Sequence, residues 1–372
     1  MSTLRKVPFF NYSYLFTHSE KSFMDVIADV GRRGAFIMQK DLSNFEKRLA
    51  DYTGARYALG VANATDGLQM VLMAGGIGPG DEVLFCSHTM VATASAIHFA
   101  GGVPVPVETG PDHLMDPTKV EAHITPRTRA IMPTQLNGRV ANMDAIQAIA
   151  DKHGLQVYED AAQALGARFK GRCAGTFGVG ACISFYPAKV LGCFGDAGAV
   201  LCNDDEVYRR LLMLRDHGRD DHSGDVEMWG FNSRLDNLQA ALLDCQLDGF
   251  PQVIERRRHI AQMYQDRLGH LKQLILPPAP GSDPDHFDIF QNYEIEAERR
   301  DELKKFLADR GVGTLIQWGG KAVHQFRALG FRQSLPVTEK MFHALLMIPM
   351  NMSQSDDDVA YVCDRIQEFY HA

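Results

Sequence analysis

The strongest constraint on the fold is an alternation between short apolar runs and helix-length stretches. The runs fall at 83–86, 103–107, 130–134, 155–159, 181–185 and 199–202, with helical patterns such as 91–100 and 143–153 between most of them. Parallel strands need long crossovers and are buried on both faces, so this texture predicts an α/β chain with a mostly parallel central sheet flanked by helices. Pro104 and Pro106 cannot donate to a strand ladder, which assigns 103–107 to an edge.

Past residue 235 the texture changes. Helices are expected over 235–248 and 254–268, then a Pro- and Gly-rich loop at 276–281. A strand at 290–295, a helix at 299–310 and terminal helices at 337–346 and 355–370 complete the reading. A length of 372 residues suits two units. The boundary is placed near 248, giving a large cofactor-binding domain over 1–248 and a smaller C-terminal α+β domain over 249–372. The run Arg256-Arg257-Arg258 reads as a solvated helix face.

Charge and cysteine content narrow the function. Lys and Arg number 38 against 46 Asp and Glu, a net charge of −8 that argues against binding nucleic acid or a membrane surface. Seven cysteines without a CxxC pair indicate neither a disulfide framework nor structural zinc. His217, Asp220, Asp221 and His222 cluster without metal-ligand spacing, so no metal is expected. Residues 1–14 lack an apolar core of signal-peptide length, and no segment approaches a membrane span. A soluble, cytoplasmic protein is the expectation.

The chemistry concentrates at strand ends. The run closing at Glu159-Asp160 puts a carboxylate at the C-terminal edge of a parallel sheet, where α/β enzymes hold ligands. Lys189 follows another strand in Ser184-Phe-Tyr-Pro-Ala-Lys189, with Gly192, Gly195 and Gly198 beyond it, and glycines let backbone approach a ligand closely. Pyridoxal phosphate chemistry needs such a pair: an amine for the aldehyde and an anion at the pyridine nitrogen. It also needs a phosphate cradle. Asn63-Ala-Thr-Asp-Gly67 opens a helical pattern whose N-terminal N–H groups favour a dianion.

Five ordered segments resemble one family. Val157-Tyr-Glu-Asp-Ala-Ala-Gln-Ala-Leu-Gly166, Gly175-Thr-Phe-Gly178, Ser184-Phe-Tyr-Pro-Ala-Lys-Val-Leu-Gly192, Gly195-Asp-Ala-Gly-Ala199 and Gly230-Phe-Asn-Ser-Arg-Leu-Asp-Asn-Leu-Gln-Ala240 are similar to the successive signatures of the DegT/DnrJ/EryC1/StrS aminotransferases. The resemblance runs from about residue 20 to the C-terminus. It implies a fold type I pyridoxal 5′-phosphate enzyme that moves an amino group from glutamate to a nucleotide-linked keto-deoxysugar by ping-pong transamination. By the same resemblance Lys189 is the Schiff-base lysine, Asp160 the acid on the pyridine nitrogen and Gln163 the glutamine by the ring and its phenolic oxygen. Ala64, Thr65, Asp66 and Ser184 match the phosphate ligands. Asn232 matches an asparagine reaching the phosphate from a partner subunit, which implies a homodimer with shared active sites. His324 matches a histidine on the substrate side.

Two departures bear on substrate more than on reaction. Thr89-Met-Val-Ala-Thr93 carries Met90 where the family places an aromatic residue on the cofactor ring; a thioether also makes favourable ring contacts. Pro133-Thr-Gln-Leu-Asn-Gly138 differs from the commoner His-Leu-Tyr-Gly form. A keto-cyclitol aminotransferase, a sugar dehydratase and a non-catalytic regulator stay open as alternatives, although the dehydratase branch carries histidine where Lys189 stands.

Overall fold

The structure, a computed structural model, describes residues 5–220 and 222–371; residues 1–4, Asp221 and Ala372 lie outside it. Its strands are β1 (Tyr57–Val61), β2 (Glu82–Cys86), β3 (Val103–Val107), β4 (Thr128–Met132), β5 (Gln156–Asp160), the short pair β6 (Arg168–Phe169) and β7 (Arg172–Cys173), β8 (Gly180–Ser184), β9 (Gly198–Cys202), β10 (Leu274–Ile275), β11 (His286–Phe287), β12 (Tyr293–Ala297) and β13 (Leu345–Ile348). Seven form one sheet in the order β1-β9-β8-β5-β4-β2-β3. Four of its six pairings are parallel, and β9 is antiparallel to both neighbours. β3, with its two prolines, is one edge strand and β1 the other.

Successive side chains of a strand point to opposite faces, and both faces of this sheet are dry. Leu84, Ile131, Val157, Ile183 and Leu201 pack on one side, and Phe85, Met132, Tyr158, Cys182 and Val200 on the other. A third core surrounds the sheet β10-β12-β13, where Tyr264, Tyr293, Ile295, Leu346 and Val362 meet beneath the helices Phe250–Leu268, Arg300–Asp309 and Asp356–His371. The cysteines are free thiols, six of the seven buried. Among the described residues no helix is long and apolar enough to cross a membrane.

Several expectations need correction. β1 was not anticipated. The helix expected over 337–346 is a short helix, Pro336–Phe342, followed by β13. Leu345-Leu-Met-Ile348 is a run too short for periodicity to separate strand from helix, and antiparallel pairing with β12 decides it. The strand expected at 290–295 starts later, because Phe290 is left-handed at φ 51° and breaks the extended backbone. The Arg256–Arg258 run is solvated only in part, with Arg256 and Arg258 partly exposed and Arg257 buried. Arg257 is 2% exposed and donates to the carbonyls of Phe290, Gln291 and Met350 at 3.0, 3.0 and 3.3 Å. Burial pushes its guanidinium down to about 10. Arg258 donates to the Asp288 carbonyl and lies 4.2 Å over the Phe287 ring.

Glycine placement explains one of the sequence segments. Gly175-Thr-Phe-Gly178 folds beneath β5, where the N–H groups of Gly175 and Phe177 donate to the buried Glu159 carboxylate at 3.0 and 2.6 Å. Gly178 has φ 69°, and a Cβ there would lie 2.1 Å from the Val157 carbonyl oxygen. Gly178→Ala should therefore cost about 3 kcal/mol, summing left-handed strain and overpacking. Urea unfolding checks this; an unchanged midpoint would refute the packing described.

Candidate active site

β2, β4, β5 and β8 run parallel, and β1 points the same way because it and β8 both pair antiparallel with β9. Their C-terminal ends bring Asn63, Ala64, Thr65, Thr89, Thr134, Asp160 and Ser184 to one edge of the sheet. These residues share a cavity of about 410 Å³ with Met90, Gln163, Tyr186, Lys189 and Trp318. That volume lies in the range of about 300–1,000 Å³ typical of small-molecule sites.

Asp160 is the last residue of β5 and is 4% exposed. Alternation along the strand turns Glu159 to the back of the sheet and Asp160 to the cavity. The carboxylate accepts from Thr93 Oγ1 at 2.6 Å and from the Ala162 N–H at 3.2 Å. Thr93 Oγ1 lies 2.8 Å from Thr89 Oγ1, which accepts from Thr134 Oγ1 at 3.0 Å. Three hydroxyls, two from strand ends and one from the helix Val91–Phe99, thus form a chain ending on one carboxylate. Burial pushes the Asp160 carboxyl up, opposed by Thr93, the Ala162 N–H and the charge of Lys189. The three threonines were not expected as site residues. Thr93 lies in the first turn of the helix Val91–Phe99, and Thr89 just ahead of that helix's N-cap, Met90.

Lys189 sits in the turn after β8. Its ammonium is lowered to about 8 by burial, partly offset by the negative charge of Asp160. The loop is clamped from the C-terminal part of the chain: Gln291 Nε2 donates to the Ala188 carbonyl at 2.8 Å, and Gln291 Oε1 accepts from the Val190 N–H at 2.8 Å. One side-chain amide thereby fixes the peptide groups on either side of Lys189. Gln291 was missed because nothing local to the lysine segment points to it.

The helix Ala64–Ala74 begins at the cavity. Asn63 caps it by accepting from the Asp66 N–H at 2.9 Å. Gly198, the first residue of β9, packs against this terminus; a Cβ there would come within 2.8 Å of the Ala64 nitrogen and the Asn63 carbonyl carbon, so a side chain would displace the start of the helix. Asp66 does not line the cavity. Its carboxylate accepts from Ser233 Oγ at 2.8 Å and so ties the helix to the segment carrying Asn232. Asn232 itself is exposed and also lies outside the cavity lining. Ser184 does line it, and its hydroxyl accepts from the Tyr186 N–H at 3.3 Å.

Two further residues differ in fate. Gln163 lines the cavity with Oε1 turned outward, accepting from the Asn137 N–H at 2.9 Å and from Asn292 Nδ2 at 3.3 Å. His324 is not brought to the cavity: it is fully buried, with Nδ1 2.7 Å from Ser87 Oγ and Nε2 3.1 Å from Glu339. Burial lowers its pKa. It joins the turn at Val323–Gln325 to the end of β2 and lies outside the cavity lining. Two aromatic groups line the cavity, Tyr186 and Trp318, the latter held left-handed at φ 48° beside two glycines. Met90 lines the opposite rim at the start of the helix Val91–Phe99 and is 52% exposed.

A family model described as the DegT/DnrJ/EryC1/StrS aminotransferase family matches residues 17–367. The chain belongs to that family. Among relatives of this DegT-family chain is a dTDP-3-amino-3,4,6-trideoxy-alpha-D-glucose transaminase of Streptomyces venezuelae, 39% identical over 98% of this chain and 96% of that one. Another is a UDP-2-acetamido-2-deoxy-3-oxo-D-glucuronate aminotransferase of Pseudomonas aeruginosa, 38% identical over 91% and 93%. The crystal structure of S. venezuelae DesV in complex with a ketimine intermediate superposes with a TM-score of 0.94, at 39% identity and 99% coverage of both chains. The α/β architecture with its mostly parallel central sheet is therefore the fold type I arrangement of these aminotransferases.

The donor set of this family member fits pyridoxal 5′-phosphate. A lysine with a lowered pKa and a buried carboxylate face one cavity, and a helix N-terminus that a Cβ at 198 would push against opens onto it. Gly198→Val should weaken pyridoxal phosphate binding at least about tenfold, the loss of about 1.4 kcal/mol. Titration of the visible band checks this, with far-UV circular dichroism to confirm an intact fold; unchanged affinity would move the phosphate elsewhere.

Proposed function

We propose that the chain is a pyridoxal 5′-phosphate-dependent aminotransferase that takes nitrogen from glutamate and delivers it to the ketone of a nucleotide-linked deoxysugar. The observation that carries this reading is the convergence of Lys189 and Asp160 on one cavity at the C-terminal edge of the sheet. When bound, the cofactor supplies an electron sink conjugated to the nitrogen being transferred. Asp160, held by Thr93, would keep a proton on the pyridine nitrogen by direct charge pairing. Lys189 would hold the cofactor through its neutral amine, and that amine, once free, would carry the proton lost from the donor's α-carbon. Ala64, Thr65 and Ser184 hold the phosphate end. Gln163 donates to the ring oxygen, and Met90 and Trp318 bound the ring and exclude water.

Carbon 3 of the sugar is the proposed position of amination, since the two relatives' names place an amino group and an oxo group there. Incubation with glutamate should release 2-oxoglutarate, and a panel of nucleotide-linked 3-keto and 4-keto deoxysugars should yield aminated product by mass from the 3-keto members. Release of no 2-oxoglutarate after loading with cofactor would instead favour a regulator, and reaction with keto-cyclitols alone would replace the nucleotide-sugar substrate. Lys189→Ala should lower turnover by about 10³-fold.

Loading of the apoprotein depends on neutral Lys189. With its ammonium at about 8, the reactive fraction grows about fifty-fold from pH 6 to pH 8 and at most about twofold above that. Stopped-flow absorbance of pyridoxal phosphate uptake measures the profile; a rate still climbing through pH 10 would show an ordinary solvated lysine.

A homodimer with shared sites is the proposed assembly. Asn232 stands outside the cavity of its own chain but is fixed in place by the backbone bridge to Asp216 and by the neighbouring Ser233–Asp66 bond, which suits a residue reaching a partner's phosphate. Mixing Lys189→Ala with Asn232→Ala protein and allowing subunits to exchange should then restore activity absent from the first and weak in the second. Activity no greater than the average of the separate variants would place Asn232 outside the partner's site.

A further inference from the structure

Outside the residues already given roles, a buried polar cluster lies behind Gln163, between the seven-stranded sheet and the sheet β10-β12-β13. Glu294 on β12 is 2% exposed and His88 is fully buried. Glu294 Oε2 accepts from Asn137 Nδ2 at 2.9 Å, with His88 Nε2 at 3.4 Å and His113 Nδ1 at 3.6 Å. His113 Nε2 lies 3.0 Å from Glu296, and its carbonyl accepts from His88 Nδ1 at 2.9 Å. Burial alone would raise the Glu294 carboxyl, but the two histidines and their hydrogen bonds hold it down at about 2. His113 is raised to about 9 by Glu294 and Glu296 against the effect of burial. The carboxylate is therefore ionised throughout the working pH range.

A carboxylate only accepts, so the atom Asn137 turns toward Glu294 is its NH₂. The Asn137 carbonyl then accepts from Asn292 Nδ2 and Gln317 Nε2, both at 2.8 Å. Gripped at both ends, Asn137 holds the left-handed conformation, φ 54° and ψ 15°, in which its backbone N–H points at Gln163. A backbone N–H only donates, so the Gln163 atom it meets is the carbonyl oxygen, and the NH₂ is the half left for the cavity. The carboxylate sets which way the Asn137 amide faces, and the Asn137 side chain so gripped fixes where its backbone N–H, a donor in any case, meets Gln163.

We propose that Glu294 is a positioning residue for transamination: through Asn137 it fixes the Gln163 amide with its N–H donor toward the oxygen at the edge of the cofactor ring. This deepens the pyridoxal phosphate reading and rests on it. Neither Glu294 nor Asn137 touches the reacting atoms. The retention of an ionised carboxylate in a dry core, with its second oxygen lacking any hydrogen-bond partner, is costly for stability alone and is accounted for by this role.

The test follows the visible band of the holoenzyme against pH. A donor to the ring oxygen stabilises its anion, so loss of that donor should raise the pH midpoint of the band. Glu294→Met should raise it by about one pH unit and lower kcat about tenfold, with KM for glutamate changed less than twofold. Glu294→Gln, which keeps an oxygen for Asn137, should restore the midpoint. Should Glu294→Met fail to fold, Asn137→Ala, which removes the amide and disfavours the left-handed turn, should give the same rise. Gln163→Leu should raise the midpoint too, and the Glu294→Met/Gln163→Leu double variant should show no additional rise. An unmoved midpoint in Glu294→Met and Asn137→Ala, or a double variant in which the two rises add in full, overturns the proposal while leaving the cofactor reading intact. A wild-type protein that gains no visible band overturns the cofactor reading itself.

Discussion

An ammonium and a carboxylate can share a water-poor cavity only when each offsets the desolvation of the other, and the surroundings of Lys189 and Asp160 are arranged around that condition. Burial drives the two pKa values toward each other, Asp160 up and Lys189 down. Were nothing to oppose it, Asp160 would be neutral and Lys189 unprotonated, and the carboxylate could no longer hold a proton on a bound pyridine. Thr93, the Ala162 N–H and the mutual charge of the pair oppose it. The threonine chain from Thr134 through Thr89 matters for this reason: it orients the hydroxyl of Thr93 as a donor to Asp160.

The parallel-sheet pattern made the central architecture legible. Runs at 83–86 and 103–107 are strands, the proline-bearing run is an edge, and Asp160 and Lys189 lie where strand-end reasoning puts them. β1 escaped because Tyr57-Ala-Leu-Gly-Val61 is short and carries a glycine, and its pairing is with β9, some 140 residues later. β13 escaped for a related reason. Its four apolar residues fit a helix or a strand equally well until the partner β12 is known. The Arg256–Arg258 run shows the limit of charge patterning. Composition marks such a helix face as wet, yet three carbonyls of the surrounding loops turn inward and take Arg257 into the core.

At the site, what could be read were groups whose chemistry is intrinsic: an amine, a carboxylate, a helix N-terminus. What could not be read were groups whose role comes from a neighbour distant in sequence. His324 illustrates the difference. Its residue type suits a substrate contact, but Ser87 and Glu339 occupy both ring nitrogens and hold it away from the cavity. Gln291, by contrast, has an unremarkable side chain and becomes essential because its amide spans the peptides beside Lys189.

Gln291 and Asn292 also show how the C-terminal sheet acts on the cavity. They are consecutive, just before β12, and follow the left-handed Phe290 that sets the direction of the chain. Neighbouring side chains of an extended segment diverge, so one reaches the lysine loop while the next reaches Gln163 and Asn137. Glu294, two residues further on, faces the same side as Asn292 and grips Asn137 from beyond it. A single stretch of five residues therefore holds both the nucleophile's loop and the amide beside the cofactor ring. Its position is in turn fixed by Arg257, which binds the carbonyls of Phe290 and Gln291 from the long helix Phe250–Leu268. The buried arginine, the strand β12 and the cofactor cavity form one mechanical unit, so the packing of the C-terminal part sets the geometry of chemistry carried by residues of the large sheet.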